Sequence, residues 1–241
     1  MAMDKALSKR LMESLGVPTP AWELVSVPPG GAEVPLALLE KGPVGGLPAV
    51  VKPIAEGSSV GVTIVTEATQ WLEALELAAA PRGAEGDRAP EVLVEQYVSG
   101  RELTVAILDR LVLPVVEIIP KQSFYDYRRK YSPGETEYEV PASLPKEIEQ
   151  PLKEDAWRLY EALGCRGMAR VDFRLAPGDV ARCLELNTIP GLTGTSLVPK
   201  AAGAAGIGFA ELLEQVCRAG VREAHRAPQR VGSGGSAGRT G

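Results

Sequence analysis

The sequence is poor in the residues on which many enzymes build nucleophilic and zinc chemistry. Its 241 residues include one histidine, His225, and three cysteines, Cys165, Cys183 and Cys217. A Ser/His/Asp or Cys/His catalytic site and a histidine-ligated zinc site are therefore nearly excluded. Because the cysteines lie far apart without a CxxC pair, we expect three buried or half-buried thiols and no disulfide. Any metal ion would need oxygen ligands, which favours magnesium or manganese.

The sequence also lacks a large excess of either charge and a long apolar run. Its 26 basic and 31 acidic residues give a net charge of -5 and are scattered along the chain. This excludes the cationic surface that nucleic-acid binding usually needs. No apolar segment approaches the roughly 20 residues needed to span a bilayer, and the N-terminus lacks the apolar region of a secretory signal. We therefore expect no nucleic-acid or membrane partner and a cytoplasmic location.

Helix and strand patterns are interleaved, which predicts an α+β fold with mainly antiparallel sheets. Helices are expected at 2–16, 67–80, 146–164 and 208–220, and strands at 47–53, 91–98, 101–108, 111–119, 167–175 and 180–188. The strand at 47–53 continues through a glycine loop into a hairpin. Pro151 would be tolerated in a first turn if the helix at 146–164 begins near it. The segment 123–142 shows neither period and could be a lid or an exposed loop, and the C-terminal residues 223–241 should form a flexible tail.

A small-residue loop follows Lys52 in the predicted hairpin. The residues of EGSSVG, from Glu56 to Gly61, let backbone N–H groups approach a phosphate, while Lys52 supplies positive charge. The loop lacks the GxxxxGK[ST] pattern of a P-loop. A plain hairpin turn is the alternative, and a glycine loop alone would favour it. The order of the lysine, the proline, Glu56 and GSSVG is more specific than the glycines by themselves.

Two neighbouring strands carry polar residues that should share one sheet face, namely Arg170, Asp172, Glu185 and Asn187. A hairpin that turns at 177–178 would pair Leu175 with Val180. In that register Arg170 lies opposite Glu185, and Cys183 lies opposite Asp172. Because two carboxylates on one face repel each other, we favour a divalent cation between them. The alternative is an ion pair between Arg170 and Glu185 across the strands.

Several segments in succession resemble the ATP-grasp part of D-alanine:D-alanine ligases. They are MDKALSK, VVKPIAEGSSVGV, VLVEQYVSGRELTVAIL, FYDYRRKY, GCRGMARVDF and LELNTIPGLTGTSLVP, and the resemblance extends over residues 2–220. It implies a smaller subdomain at 1–97 and a larger one at 98–222, with ATP between them. The implied activity joins two D-alanine molecules for peptidoglycan precursors, through an acyl phosphate and with release of ADP. The resemblance also implies a homodimer.

The resemblance also implies a role for individual residues. Those that contact ATP are Lys5, Lys52, Glu56, Ser58, Ser59, Val60, Glu95, Gln96, Tyr97, Val98 and Glu102. Lys130 would reach the terminal phosphate, and Asp172, Glu185 and Asn187 would hold two Mg²⁺ (or Mn²⁺) ions. Arg170 and the Gly191 backbone would stabilise the tetrahedral intermediate. The D-alanine site would consist of Tyr125, Tyr131, Gly191, Ser196 and Leu197, and Tyr131 implies an amine nucleophile instead of the hydroxyl of D-lactate.

Full-length relatives begin with a further domain that carries an HGxxGEDG-type segment. We therefore expect that the natural protein is longer than this chain or that the chain works with another component. Two other functions stay open on the residues alone. The chain could be another ATP-grasp carboxylate-amine ligase, or a module that binds ATP without turnover.

Overall fold

The computed structural model of the protein describes residues 4–27, 46–57, 59–80, 89–120 and 136–226, with side chains up to 222. Four of the predicted site residues lie outside this part of the chain, namely Ser58, Tyr125, Lys130 and Tyr131. The strands are β1 Trp22–Ser26, β2 Ala49–Pro53, β3 Thr63–Val65, β4 Glu91–Gln96, β5 Arg101–Leu108, β6 Leu111–Val112, β7 Val116–Pro120, β8 Thr136–Glu139, β9 Met168–Ala176 and β10 Val180–Asn187. The helices are α1 Lys5–Ser14, α2 Trp71–Ala79, α3 Lys146–Ala162, α4 Leu197–Ala204 and α5 Phe209–Arg226.

The first sheet has the strand order β1-β4-β2-β3 and is antiparallel throughout. Its strands are short and rich in valine, which suits a pleated surface with one face packed on a helix. Helix α2 covers that face with Trp71 and Leu75, which are fully buried. The predicted hairpin of β2 and β3 is confirmed. Strand β1, which pairs with β4, was not predicted, because it lies in a segment dominated by proline and glycine signals.

The second sheet has the order β10-β9-β5-β7-β8, and β6 pairs with β5 at one end. Seven consecutive residues of β5 are buried because helices cover both faces of the sheet. One face packs on α3 and on Met12 and Val17 at the end of α1. The other face packs on α4 and α5. Helix α1, which the predicted boundary at residue 97 assigns to the smaller subdomain, thus contributes to the core of the larger sheet.

Proline explains one difference between the predicted and observed strands. The strand predicted at 111–119 is divided into β6 and β7, with Pro114 in the gap. Pro114 lacks the N–H that a continuous ladder requires. The stretch from Thr104 to Ile107 on β5 faces the stretch from Val112 to Val116, so the second stretch carries one residue more.

The helices differ from the predictions in extent. Helix α3 begins at Lys146, which places Pro151 in its second turn, where it removes a hydrogen bond to the carbonyl of Glu147. The helix therefore does not begin near Pro151, and the condition for a first-turn proline is not met. Helix α4 was not predicted, and Pro199 fits in its first turn because the first N–H groups of a helix have no partner within it.

Strand β8 and helix α5 also differ from the predictions. Strand β8 lies within the segment predicted to be irregular, and α5 continues through 223–226, which were predicted to belong to the tail.

Cys165 and Cys183 are buried as expected, whereas Cys217 on α5 is exposed. In the part of the chain that the structure describes, no helix has the length and apolar character to cross a bilayer.

Candidate functional site

The centre of the candidate site is the β9–β10 hairpin, where a β-bulge shifts the strand pairing. Cys183 pairs with Phe173, but Glu185 pairs with Asp172, so the register changes between Cys183 and Glu185. Beyond the bulge, Asn187 pairs with Arg170. The bulge is an extra residue on β10, and such a residue reverses the inside and outside alternation of the strand that carries it.

The predicted register of this hairpin is wrong. Val180 pairs with Ala176 and not with Leu175, and Arg170 does not lie opposite Glu185. A strictly alternating strand would place Cys183 on the same face as Glu185. In the structure the Cys183 side chain is fully buried in the core, while Glu185 and Asn187 lie on the opposite, partly exposed face. The predicted common face for Glu185 and Asn187 is therefore present, but without Cys183.

Asp172 is the most highly connected carboxylate of this face. Arg170 donates to it in a bidentate pair, from Nε to Oδ1 at 2.9 Å and from Nη2 to Oδ2 at 2.8 Å. The buried Thr104 hydroxyl donates to Oδ1 at 2.7 Å. Asn187 Nδ2 donates to Oδ2 at 3.1 Å. Arg170 thus pairs with Asp172 on its own strand, and the ion pair that was the alternative to a cation site, between Arg170 and Glu185, does not form.

The donor set fits a hard divalent cation. Asn187 Nδ2 lies 3.1 Å from Asp172 Oδ2 and 3.4 Å from Glu185 Oε1, so the positive end of the amide sits between two carboxylates. Two carboxylates and an amide oxygen are the ligand types that Mg²⁺ and Mn²⁺ take. Among the described residues there is no group of three histidine, cysteine or acidic side chains placed to hold a metal ion. A cation here would therefore rely on Asn187 together with Asp172 and Glu185.

A second charged cluster lies on β4, β2 and α1. Glu95 is 2% exposed and forms ion pairs with Lys52 through Oε1 and with Lys9 through Oε2, the latter at 2.8 Å. Burial alone would raise the pKa of Glu95, but the Lys52 and Lys9 ammonium groups outweigh it and lower that pKa from 4.5 to about 2. Burial lowers the pKa of Lys9, which is 1% exposed, although the charge of Glu95 opposes this shift.

Lys5 connects the two clusters. Its Nζ donates to the carbonyl oxygen of Glu56, and its backbone N–H donates to the carbonyl of Ile54 at 2.9 Å. Burial lowers the pKa of Lys5, and the strongest charge acting against that shift is the carboxylate of Glu185, while Lys52 lowers the pKa further. Lys5 therefore lies within electrostatic range of both Lys52 and the Glu185 carboxylate of the β9–β10 hairpin.

The glycine loop between β2 and β3 forms a tight turn next to these lysines. Val60 donates its N–H to Gly57, and Ser59 has a φ of 59°. Gly61 has a φ of +68°, and a Cβ there would come within 2.7 Å of the Pro53 ring. The turn thus requires glycine, as a hairpin does, and it packs Gly61 against Pro53, the last residue of the strand that carries Lys52.

The loop from β10 to α4 is organised by hydroxyl groups. Ser196 Oγ accepts the Thr193 N–H at 3.1 Å and lies 2.8 Å from Thr193 Oγ1. A Cβ on Gly191 would lie 2.8 Å from Ser196 Oγ, so the backbone of Gly191 packs directly on this hydroxyl. Ser196 precedes the first turn of α4, and Leu197 begins it. The predicted group of Gly191, Ser196 and Leu197 is therefore brought together in space.

Comparisons with known proteins identify the family. The family model for "D-ala D-ala ligase C-terminus" matches residues 11–218. A D-alanine–D-alanine ligase from Gloeobacter violaceus is 43% identical over 217 residues, which cover 90% of this chain and 68% of the relative. The chain belongs to the D-alanine–D-alanine ligase family. Members of this family are ligases of the ADP-forming type, and the predicted family resemblance is confirmed.

Solved structures of D-alanine–D-alanine ligases have the same ATP-grasp fold. The enzyme from Bacillus anthracis superimposes with a TM-score of 0.77 at 34% identity, over 94% of this chain and 70% of that one. The same enzyme complexed with ATP gives a TM-score of 0.74 at 30% identity, over 94% and 68%. The chain thus spans about two thirds of the length of the relatives that it matches.

The remaining predicted nucleotide contacts of this ligase chain lie around the β4–β5 connection. Gln96 and Tyr97 donate their backbone N–H groups to Ala21 and Pro48, so these two amides are already engaged within the protein. Glu102 on β5 is 7% exposed and pairs with Arg174 at 3.1 Å. Glu102, like Glu95, is therefore a buried and paired carboxylate, not a solvated charge at the end of a strand.

Two residues of this site were missed by the sequence analysis, namely Lys9 and Thr104. Lys9 lies one helical turn after Lys5, so the i, i+4 spacing places both lysines on one face of α1. That spacing was an available signal. Thr104 lies in the mostly apolar strand β5, where nothing local marks it as a site residue. Only the pairing of β5 with β9 places it opposite Asp172. No signal in the sequence predicts that pairing.

Proposed function

We propose that the protein joins two D-alanine molecules with ATP, releasing ADP and inorganic phosphate, to supply D-alanyl-D-alanine for peptidoglycan precursors. The observation that carries this proposal is the arrangement around Lys5. The Lys5 ammonium of α1 lies within electrostatic range of Lys52 on β2 and of Glu185 on the hairpin that also carries Arg170 and Asp172. Such a site can bind a polyphosphate on one side and hold a carboxylate substrate on the other.

Lys5 and Lys52 would bind phosphate oxygens of ATP. The ion pair with Glu95 holds the Lys52 ammonium in place, because the Glu95 carboxylate is buried and stays ionised at neutral pH. The turn of Ser59 and Val60 would cover the phosphates, with Ser58 and Glu56 beside it. We propose that Glu102, Glu95 and the Gln96–Val98 backbone contact the nucleoside, and that Lys130 reaches the terminal phosphate.

Asp172, Glu185 and Asn187 would hold two Mg²⁺ or Mn²⁺ ions. Bound there, the ions would neutralise the negative charge that phosphoryl transfer to a carboxylate brings together. The chain's own contribution is to aim three oxygen-bearing side chains at one point. The Thr104 hydroxyl fixes Asp172 by a hydrogen bond from the neighbouring strand β5. The bulge after Cys183 turns Glu185 toward the same face as Asp172.

Arg170 would stabilise the second step of the reaction. In that step the amine of the second D-alanine attacks the acyl carbon, negative charge develops on the former carbonyl oxygen, and phosphate leaves. The planar guanidinium of Arg170 offers several donors in a fixed geometry, and the backbone of Gly191 would provide a further donor. We propose that Ser196, Leu197, Tyr125 and Tyr131 hold the second D-alanine. The cytoplasmic location expected from the sequence and the homodimer implied by the family resemblance remain predictions.

The proposal is tested by product analysis on the protein in its full natural length. Incubation with Mg-ATP and D-alanine should release one ADP per D-alanyl-D-alanine formed, and L-alanine should give neither product. Asp172→Asn serves as the inactive control. ATP binding without D-alanine-dependent ADP release would instead identify a nucleotide-binding module.

The choice of second substrate needs a separate competition experiment. D-Alanine, D-serine and D-lactate are offered together, and the three products are quantified. We expect the dipeptide of D-alanine to predominate near neutral pH. A structural relative from Enterococcus faecalis, 30% identical with a TM-score of 0.71, is named a D-Ala:D-Ser ligase, which makes D-serine the most informative competitor. A predominant product from another amino acid would favour a different carboxylate-amine ligase.

A further inference from the structure

The bulge of β10 is held from outside the sheet by the segment that follows α1. The backbone N–H of Cys183 donates to the carbonyl of Pro18 at 2.7 Å, and the carbonyl of Cys183 accepts from Thr19 Oγ1 at 2.8 Å. Strand β10 is the edge of its sheet, so its outward backbone groups have no neighbouring strand there. Pro18 and Thr19 thus supply both partners at the residue where the register changes.

The Thr19 hydroxyl also connects this bulge to the buried lysine. Lys9 Nζ lies 2.7 Å from Thr19 Oγ1 and 2.8 Å from Glu95 Oε2. An ammonium group can only donate, so Thr19 accepts from Lys9 and must direct its own proton to the Cys183 carbonyl. The hydroxyl therefore has one orientation, and it links Lys52 and Glu95, through Lys9, to the strand that carries Glu185.

The position of this link determines what it can control. Cys183 precedes Glu185 by two residues, and the bulge between them decides which face Glu185 occupies. A backbone fixed on both its N–H and its C=O cannot move the extra residue elsewhere along β10 without breaking these bonds. Thr19 is itself only partly buried, and its hydroxyl bonds to Lys9 and to the Cys183 carbonyl, not to Asp172, Glu185 or Asn187.

We propose that Thr19 is a positioning residue that aligns the metal carboxylate Glu185 with the phosphate-binding lysine Lys52. It acts by fixing the β10 bulge to the Lys9–Glu95 pair. This inference rests on the proposed metal role of Asp172, Glu185 and Asn187, and it adds a residue outside the site that sets the site's geometry.

The test compares metal binding of three Thr19 variants with that of a matched control. Thr19→Val and Thr19→Ala remove the hydroxyl, and Thr19→Ser retains it. Thr66→Val is the control, because Thr66 is exposed and its hydroxyl bonds to Gln70, four residues along the chain. Mn²⁺ binding is followed by electron paramagnetic resonance in the presence of a non-hydrolysable ATP analogue, and the melting temperature is recorded without ligands.

We expect Thr19→Val and Thr19→Ala to weaken Mn²⁺ binding by about 10-fold, the lower end of the effect of losing a partner that orients a metal ligand. Thr19→Ser and Thr66→Val should bind Mn²⁺ like the unmodified protein. A melting temperature lowered in Thr19→Val with unchanged Mn²⁺ affinity would overturn the proposal, because the hydroxyl would then stabilise only the fold. Unfolding of both hydroxyl-free variants at the assay temperature would overturn it for the same reason.

The outcomes separate this inference from the proposed function. Mn²⁺ binding needs no D-alanine, so an unmodified protein that binds Mn²⁺ with the ATP analogue but makes no D-alanyl-D-alanine would contradict only the proposed substrate. An unmodified protein that binds no Mn²⁺ in the presence of the analogue would contradict both the metal site and the role of Thr19.

Discussion

Asp172 and Glu185 are direct cross-strand partners, because a bulge on β10 shifts the pairing by one residue ahead of Glu185. Without the shift, the Glu185 carboxylate would follow the alternation that carries Cys183 into the core. The carboxylates share a face on which Arg170 and Asn187 supply the donors. This relationship underlies the proposed chemistry and can be tested by single substitutions.

Removing either carboxylate charge should abolish metal-dependent turnover while leaving the fold largely intact. We expect Asp172→Asn and Glu185→Gln each to lower Mg²⁺-dependent ADP formation by about 100-fold or more, since even the partners of metal ligands are worth 10–100-fold. Initial rates at varied Mg²⁺ and circular dichroism would be measured together. Near-normal activity combined with a large loss of stability would favour a purely structural role for the cluster.

Thr104→Val should weaken the site without removing a ligand. The buried Thr104 hydroxyl donates to Asp172 Oδ1 at 2.7 Å, and valine has nearly the same shape without the donor. We expect about 10-fold lower Mn²⁺ affinity and a free energy of unfolding lowered by about 1–3 kcal/mol. Thr104→Ser retains the hydroxyl and should keep the Mn²⁺ affinity of the unmodified protein. Equal losses in Thr104→Val and Thr104→Ser would indicate that the methyl group matters instead.

Glu95 should make the stability of the protein depend on pH in the acid range. The pKa of Glu95 is lowered from 4.5 to about 2, so its stabilisation is complete above about pH 4.5 and is lost as the pH falls through 2. The shift corresponds to roughly 3 kcal/mol. Urea unfolding at several pH values would show that this portion of the acid destabilisation is absent in Glu95→Gln.

At pH 7 the same Glu95→Gln variant should be less stable by about 3–5 kcal/mol, because Lys9 and Lys52 lose the buried countercharge. Glu91→Gln, at the other end of β4, is the matched control and should leave the free energy of unfolding nearly unchanged. If both variants had the same stability at pH 7, the buried ion cluster would contribute nothing.

Gly100→Ala should destabilise the connection between the two sheets. Gly100 has a φ of +114°, and a Cβ there would lie 2.1 Å from the carbonyl oxygen of Leu175. We expect the free energy of unfolding to fall by about 3 kcal/mol or more. Gly178→Ala, at a φ of +79° with no neighbouring atom within 4 Å, should lose only about 1 kcal/mol. Equal losses would show that the close approach at Gly100 can relax.

Mg-ATP should stabilise the chain against unfolding. Lys5, Lys52 and the carboxylates of the hairpin lie within the described residues and form one charged region. Ligand at 100 times its dissociation constant would add about 2.7 kcal/mol to the free energy of unfolding. The melting temperature with and without excess Mg-ATP measures this effect. An unchanged melting temperature would contradict the nucleotide-site assignment.

The α+β class and most of the elements could be predicted from the sequence, because periodicity and turn residues are local signals. The hairpin of β2 and β3 and the strands of Arg170 and Asn187 follow from such patterns. Strand β1 and helix α4 could not be predicted in this way. Each forms because a distant partner covers it, namely β4 in the first case and the second sheet in the second.

The candidate site was predictable in its residue types but not in its geometry. Strict alternation indicated a common face for Glu185 and Asn187, yet it also predicted the wrong register and the wrong place for Cys183. The bulge depends on contacts from another part of the chain, here Pro18 and Thr19, and no local sequence pattern predicts it. The pairing of Thr104 with Asp172 is likewise a property of the assembled sheet.

The proposed reaction is tested most directly by following oxygen from D-alanine into phosphate. The protein in its full natural length is incubated with Mg-ATP and D-alanine labelled with ¹⁸O in its carboxylate. If the carboxylate attacks the terminal phosphorus and the amine of a second D-alanine then displaces phosphate, each D-alanyl-D-alanine formed should be accompanied by one phosphate that carries one ¹⁸O atom. Dipeptide formation with unlabelled phosphate, or phosphate release without dipeptide, would contradict an acyl phosphate route through this site.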